Sequence, residues 1–204
     1  LEEPLILLVN DFDGTGQSAP LIVTERRGSY YTYDSPDELA MQLRSISSGM
    51  QSYKEFATSS VDRYIENEKL ADAFRKEVSV LESVVFMNNG QGSFNRVELP
   101  APAQNTPAMG IHSDDYTGNG HTDLLLTGNL YEVKPVYGGQ QDAGYGMLLE
   151  GNGNGEFHVI DFNKSGFFVD GESRGIYVIN SPDGKKRIVV ARHRDRPLIF
   201  KVNR

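Results

Sequence analysis

Residues 115–123 read D-Y-T-G-N-G-H-T-D and run straight into Leu124, Leu125 and Leu126. Asp114 precedes them, so Asp114, Asp115 and Asp123 crowd into one short stretch. Carboxylates this close repel one another unless cations or hydrogen-bond donors sit among them. Gly118 and Gly120 supply backbone freedom for a tight loop. The apolar run that follows has the length and composition of a buried strand. The stretch is therefore a metal loop, an acidic catalytic site or a polar turn, in each case feeding a strand.

A second copy narrows the choice. Residues 11–19 read D-F-D-G-T-G-Q-S-A, followed by Pro20 and then Leu21, Ile22 and Val23. Both copies begin with Asp and an aromatic residue, carry Gly at the fourth and sixth positions, and enter an apolar strand. Another pair recurs behind them: FMNNGQGSF at 86–94 matches LEGNGNGEF at 149–157. Each is a strand end, an N-G-x-G turn and a Phe that opens the next strand. Acidic loop and hairpin recur in the same order, which points to stacked supersecondary units.

The rest of the chain fits that frame. Apolar or alternating runs predict strands near 4–10, 20–26, 83–88, 93–99, 108–114, 122–130, 144–150 and 156–162. Three more are expected in GIYVIN, RIVVAR and PLIFKV, with a turn at Ser181-Pro182-Asp183-Gly184 joining the first two. Ser35, Pro36 and Glu38 form a capping-box helix start, with Leu39, Leu43 and Ile46 at helical spacing behind it. Ser52 with Glu55, Ser59 with Asp62 and then Ile65, and NEKLADAFRK at 67–76 predict further helices. The expected fold is mainly β: antiparallel four-stranded blades of a partial β-propeller, with a helical insertion at about 36–76. Residues 1–204 would be one propeller fragment: blade 1 at 4–100 containing the insertion, blade 2 at 107–162 and a partial blade 3 at 173–204.

These motifs resemble the FG-GAP/VCBS repeats of integrin-α-like β-propellers. The resemblance rests on 11–19 and 115–123 for the acidic loop, and on 88–94 and 152–157 for the hairpin. The closing SGFFVDGESRGIYVIN is similar to the last blades of large extracytoplasmic bacterial members. The resemblance implies calcium in the loop between the first two strands of a blade. Carried over by position, Asp115, Thr117, Asn119 and Asp123 would be side-chain ligands and His121 a carbonyl ligand. In the first loop Asp11, Asp13 and Thr15 fit, with Gln17 by its carbonyl. Two departures weaken the sites: Thr117 stands where Asp or Asn is usual, and Ala19 replaces the closing aspartate. Calcium takes six to eight oxygens on a flexible scaffold, which such loops can offer. An EF-hand is excluded, because its twelfth position needs Glu and here holds Ile22 or Leu126.

Other chemistry finds little footing. His112, His121, His158 and His193 are scattered, with no HExxH-type spacing. There is no G-x-S-x-G elbow, and the N-G-x-G turns lack the Lys-Ser/Thr of a phosphate loop. Tyr30, Tyr31, Tyr33, Tyr131 and Tyr137 could stack on sugars, although packing on strands is their default role. Lys185, Lys186, Arg187, Arg192, Arg194 and Arg196 form a basic cluster that reads as a solvated hairpin. The net charge of −8 argues against nucleic acid as the main partner. Cysteine is absent, which excludes disulfides and thiolate metal sites, and no apolar run is long enough to span a membrane.

The expectation is a non-enzymatic, calcium-stabilised binding or scaffold module of an extracytoplasmic protein, for adhesion or for recognition of a glycan or protein. The alternative is part of a propeller-based carbohydrate-active enzyme, a lyase or hydrolase. Fewer than three full blades cannot close a ring, which predicts a C-terminal piece of a longer propeller. Open sheet edges predict self-association of the isolated chain or pairing with the remaining blades.

Overall fold

A computed structural model describes residues 4–44, 49 and 52–202. Ile46, expected on the face of the first helix, lies outside the described residues. The chain is mainly β, in several small antiparallel sheets, none of which closes on itself. It divides into two compact units, Leu1–Leu81 and Glu82–Arg204. The boundary falls inside the stretch expected to be blade 1.

The first unit is built on a four-stranded sheet. Strands β1 (Leu5–Asn10), β2 (Ala19–Arg26) and β3 (Ser29–Thr32) form a meander, and β4 (Phe74–Val78) pairs with the free side of β1. Alternation along β1 and β2 sends Ile6, Leu8, Leu21 and Val23 to one face, where all four are buried. The insertion covers that face. Helix α1 (Pro36–Gln42) starts with the expected capping box: Ser35 Oγ accepts from Glu38 N, and Glu38 Oε2 accepts from Ser35 N at 3.0 Å. It delivers Leu39, and Leu43 follows one turn later. Helix α2 (Tyr53–Thr58), a 3₁₀ turn at Val61–Arg63 and helix α3 (Asn67–Ala71) add Val61, Ile65 and Leu70 to the same core.

Two expectations for this unit need correction. Residues 67–76 are not one helix: the Asp72 N–H bonds back to Glu68 and Leu70 carbonyls, ending α3, and Phe74 begins β4. Nor do 83–88 and 93–99 complete the sheet of 4–10 and 20–26. β3 and β4 already occupy its two flanks, so β5 (Val84–Asn88) and β6 (Phe94–Glu98) pair only with each other, in the second unit.

The second unit contains a four-stranded antiparallel sheet drawn from residues 108–160. Strands β7 (Ala108–Asp114), β8 (Asp123–Gly128), β9 (Met147–Gly151) and β10 (Phe157–Ile160) form an antiparallel meander in chain order. β8 is internal and buried on both faces, which explains an unbroken Leu run where alternation would mark a half-exposed strand. Leu125 faces a core with Leu148, Phe167, Val169, Ile176, Ile188 and Val190. Leu126 faces the other side, with Leu99, Ala103 and Leu149. Strands β11 (Ser173–Asn180), β12 (Lys186–Arg192) and β13 (Leu198–Lys201) make the expected three-stranded meander. A short helix α4 (Phe162–Ser165), ended by Gly166 in a left-handed conformation, connects β10 to it.

Candidate functional site

The two acidic loops are built alike. Each links antiparallel neighbours, and the strand ends pair at the same register: Asn10 opposite Ala19, and Asp114 opposite Asp123. In each, the residue before the loop accepts from the first loop amide, Asn10 Oδ1 from Asp11 N at 2.8 Å and Asp114 Oδ1 from Asp115 N at 2.9 Å. The first aspartate then gathers amides from the loop it opens. Asp11 accepts from Thr15 N and Gly16 N at 2.9 and 2.8 Å. Asp115 accepts from Gly118 N and Gly120 N at 2.7 and 3.3 Å. The glycines of both loops adopt positive φ between 73° and 85°, which lets the chain turn its N–H groups inward.

The close carboxylates of 114–123 are thereby separated in use. Asp114 pairs with Lys186 on β12. Asp115 holds the loop amides. Asp123 is fully buried, and its Oδ2 accepts from both Tyr116 N and Thr117 N at 2.8 Å. Its Oδ1 accepts from Gly151 N at 2.9 Å, at the end of β9. Donors replace the repulsion that bare charges would feel.

Asp123 also joins the loop to the hairpin behind it. Gly151 gives its N–H to Asp123, and its carbonyl accepts from Asn119 Nδ2 at 3.0 Å. Asn119 Oδ1 accepts from His121 N at 2.8 Å. A Cβ on Gly151 would fall 2.1 Å from the Thr122 carbonyl, so the close approach requires glycine there. The His121 ring packs over Gly153 in the turn. That turn and its counterpart are also alike: Asn152 N donates to Glu156 O at 3.2 Å, and Asn89 N to Ser93 O at 3.1 Å. Asn152 and Asn89 side chains each accept from the amides two and four residues on. Loop and hairpin recur together in the sequence, and in the second sheet they touch.

The first loop has a different partner. Lys69 on α3 points its Nζ at the Phe12 carbonyl, 3.2 Å away, and its own carbonyl accepts from Asn10 Nδ2 at 2.7 Å. Thr15 Oγ1 donates to Asp13 Oδ1 at 2.8 Å, and Gln17 lies exposed. The Gly16 amide above all, helped by Thr15, Gly14 and the charge of Lys69, lowers the Asp11 pKa from its ordinary value.

Neither loop draws its carboxylates to one point; among the described residues no three His, Asp or Glu side chains form a metal-holding group. The fit to calcium differs between them. In 115–123 each bonded oxygen of Asp115, the Oδ1 of Asn119 and the Oδ1 of Asp123 keeps a second lone pair, since a carboxylate or amide oxygen has two. Thr117 Oγ1 and the His121 carbonyl lie in the same loop, but these oxygens would have to be drawn together to make the six that calcium needs. The first loop lacks the closing carboxylate and has an ammonium group beside it. It does not fit.

The other candidate groups are placed as follows. His112 Nδ1 lies 2.6 Å from Tyr116 OH, His158 is exposed on β10, and His193 stands 3.9 Å from Glu132. Much of the basic cluster is paired with acids: Arg187 with Asp183, Arg192 with Asp170 and Asp195, Arg194 with Glu132. Tyr30 packs on the core of the first unit, whereas Tyr31, Tyr33 and Phe56 line a groove of about 210 Å³ with Thr24, Arg26 and Ser59. Among the described residues no helix is long and apolar enough to cross a membrane. Lys69 and Gly151 carry no local signature, and only the folded chain brings them to the loops. Comparison with known proteins returns no match: no family model, curated protein or solved structure matches the chain.

Proposed function

We propose that this chain is a non-enzymatic, propeller-type binding or scaffold module of an extracytoplasmic protein, with the 115–123 loop stabilised by calcium. The carrying observation is the use made of the acidic residues. Asp11, Asp115 and Asp123 serve backbone amides at strand junctions, which is the work of a scaffold, and the second-loop oxygens that take a single donor could also take a cation. The repeated loop register and the four-stranded meander of β7–β10 support blades as the building units. Calcium would supply charge and coordination for Asp115, Thr117, Asn119, Asp123 through its Oδ1, and the His121 carbonyl. The tyrosine-lined groove of the first unit offers ring faces beside hydroxyl groups, a surface suited to a glycan or a peptide.

The test is thermal unfolding in chelator, in millimolar magnesium and in millimolar calcium. Calcium alone raises the midpoint, and Asp115→Ala removes the rise. Stabilisation follows RT ln(1 + [L]/Kd), so ligand at about 100 times Kd gives roughly 2.7 kcal/mol. An unchanged midpoint in calcium refutes the metal.

A further inference from the structure

We propose that the first acidic loop is closed by the chain's own ammonium group, that of Lys69, and takes no calcium, so that the two loops differ in cation dependence. The inference concerns 11–19 only and does not rest on calcium at 115–123.

At the matching register Asp123 anchors two loop amides and the end of β9; Ala19 can do none of this. The first loop also lacks a β9–β10 hairpin to dock on, because its sheet continues from β2 through a tight turn into β3. Helix α3 fills that role from the other direction. Its Lys69 is held at both ends, by Asn10 Nδ2 on its carbonyl and by the Phe12 carbonyl under its Nζ. A Cβ placed on Gly14 would stand 3.4 Å from that Nζ, so the ammonium sits against the loop's backbone. The Asp11 oxygens face the Thr15 and Gly16 amides, and Thr15 donates to Asp13. A divalent ion entering here would meet a fixed positive charge at a few ångströms and, with two carboxylates as in the second loop, no aspartate at the closing position. The inserted helix thus brings to this loop the positive charge that the repeat otherwise leaves to be recruited.

The experiment is amide hydrogen exchange by NMR on the whole chain, with chelator and with calcium, following Thr15 and Gly16. In the unaltered chain these amides exchange slowly and equally in both conditions. Lys69→Met speeds their exchange by tenfold or more, calcium does not restore it, and Lys69→Arg keeps most of the protection. Calcium-dependent slowing at Thr15 and Gly16 in the unaltered chain overturns the proposal. So does unchanged exchange in Lys69→Met. Protection at β1 and β2 amides, read in the same spectra, separates loss of the clasp from loss of the fold. Gly118 and Gly120 report on the second loop independently, so failure of calcium there leaves this test intact.

Discussion

Replacing Asp123 by Ala removes the acceptor for three backbone amides at once. Gly151 N is buried, and an orphaned donor there costs about 1–3 kcal/mol. Tyr116 N and Thr117 N are only partly buried, so water can recover part of their loss, leaving roughly 0.5–1 kcal/mol each. The sum is about 3 kcal/mol, which lowers the midpoint of a chain this size by roughly 6–12 °C. Urea unfolding followed by circular dichroism or tyrosine fluorescence measures it, since the chain has ten tyrosines and no tryptophan. Asp123→Asn keeps the volume and one acceptor oxygen but turns an NH₂ toward an amide, so it loses about 1–3 kcal/mol. The decisive comparison is between chelator and calcium. An amide anchor is lost equally in both. A variant that is neutral in chelator and destabilised only in calcium would show that Asp123 serves the metal, and the anchor argument would fail.

Further expectations follow from neighbouring contacts. Gly151→Ala drives a Cβ to 2.1 Å from the Thr122 carbonyl and destabilises the second unit by about 2 kcal/mol or more, read as a lower urea midpoint; an unchanged midpoint would mean that loop and β9 separate freely. Asp11, its pKa lowered by the Gly16 amide above all, contributes stability that is present above the unfolded value and is lost as pH falls through the lower folded value. Protection at Thr15 and Gly16, taken relative to the intrinsic exchange rate at each pH, therefore falls in acid, below about pH 4. Asp11→Asn should abolish that acid dependence, and a steep profile surviving in the variant would assign it to another group.

Much of the second unit was legible before folding. Leu124, Leu125 and Leu126 after an acidic loop mark an internal strand, and the N-G-x-G turns with their flanking Phe mark hairpins, because both signals are local. The first sheet was not legible in the same way. The β-rich GSYYTYD does supply 29–32, paired with β2 across a tight turn, but the other outer strand, 74–78, comes from a segment read as helix and is placed by the open edge of β1. The helical reading of 67–76 failed at Asp72 for a related reason: pairing with β1 outweighs the helix propensity of Arg75, Lys76 and Glu77. At the loops, spacing singled out the aspartates but not the amides that the structure sets against them. Alternation says which side chains can turn inward; it does not say whether an amide or an ion meets them. Lys69 approaches Phe12 from 57 positions away, a contact that no local pattern announces.

Gly151 has one further consequence. Because its N–H and its carbonyl are both engaged by the loop 115–123, the loop and the β9–β10 hairpin cannot be exchanged separately. The smallest transplantable cassette runs from Asp115 to Phe157, and a graft of the acidic nonapeptide alone would leave Asp123 without its third donor. Duplication of such a segment within a gene would copy the receptor together with the part that docks on it. In the first sheet the loop 11–19 is gripped by Lys69 of helix α3.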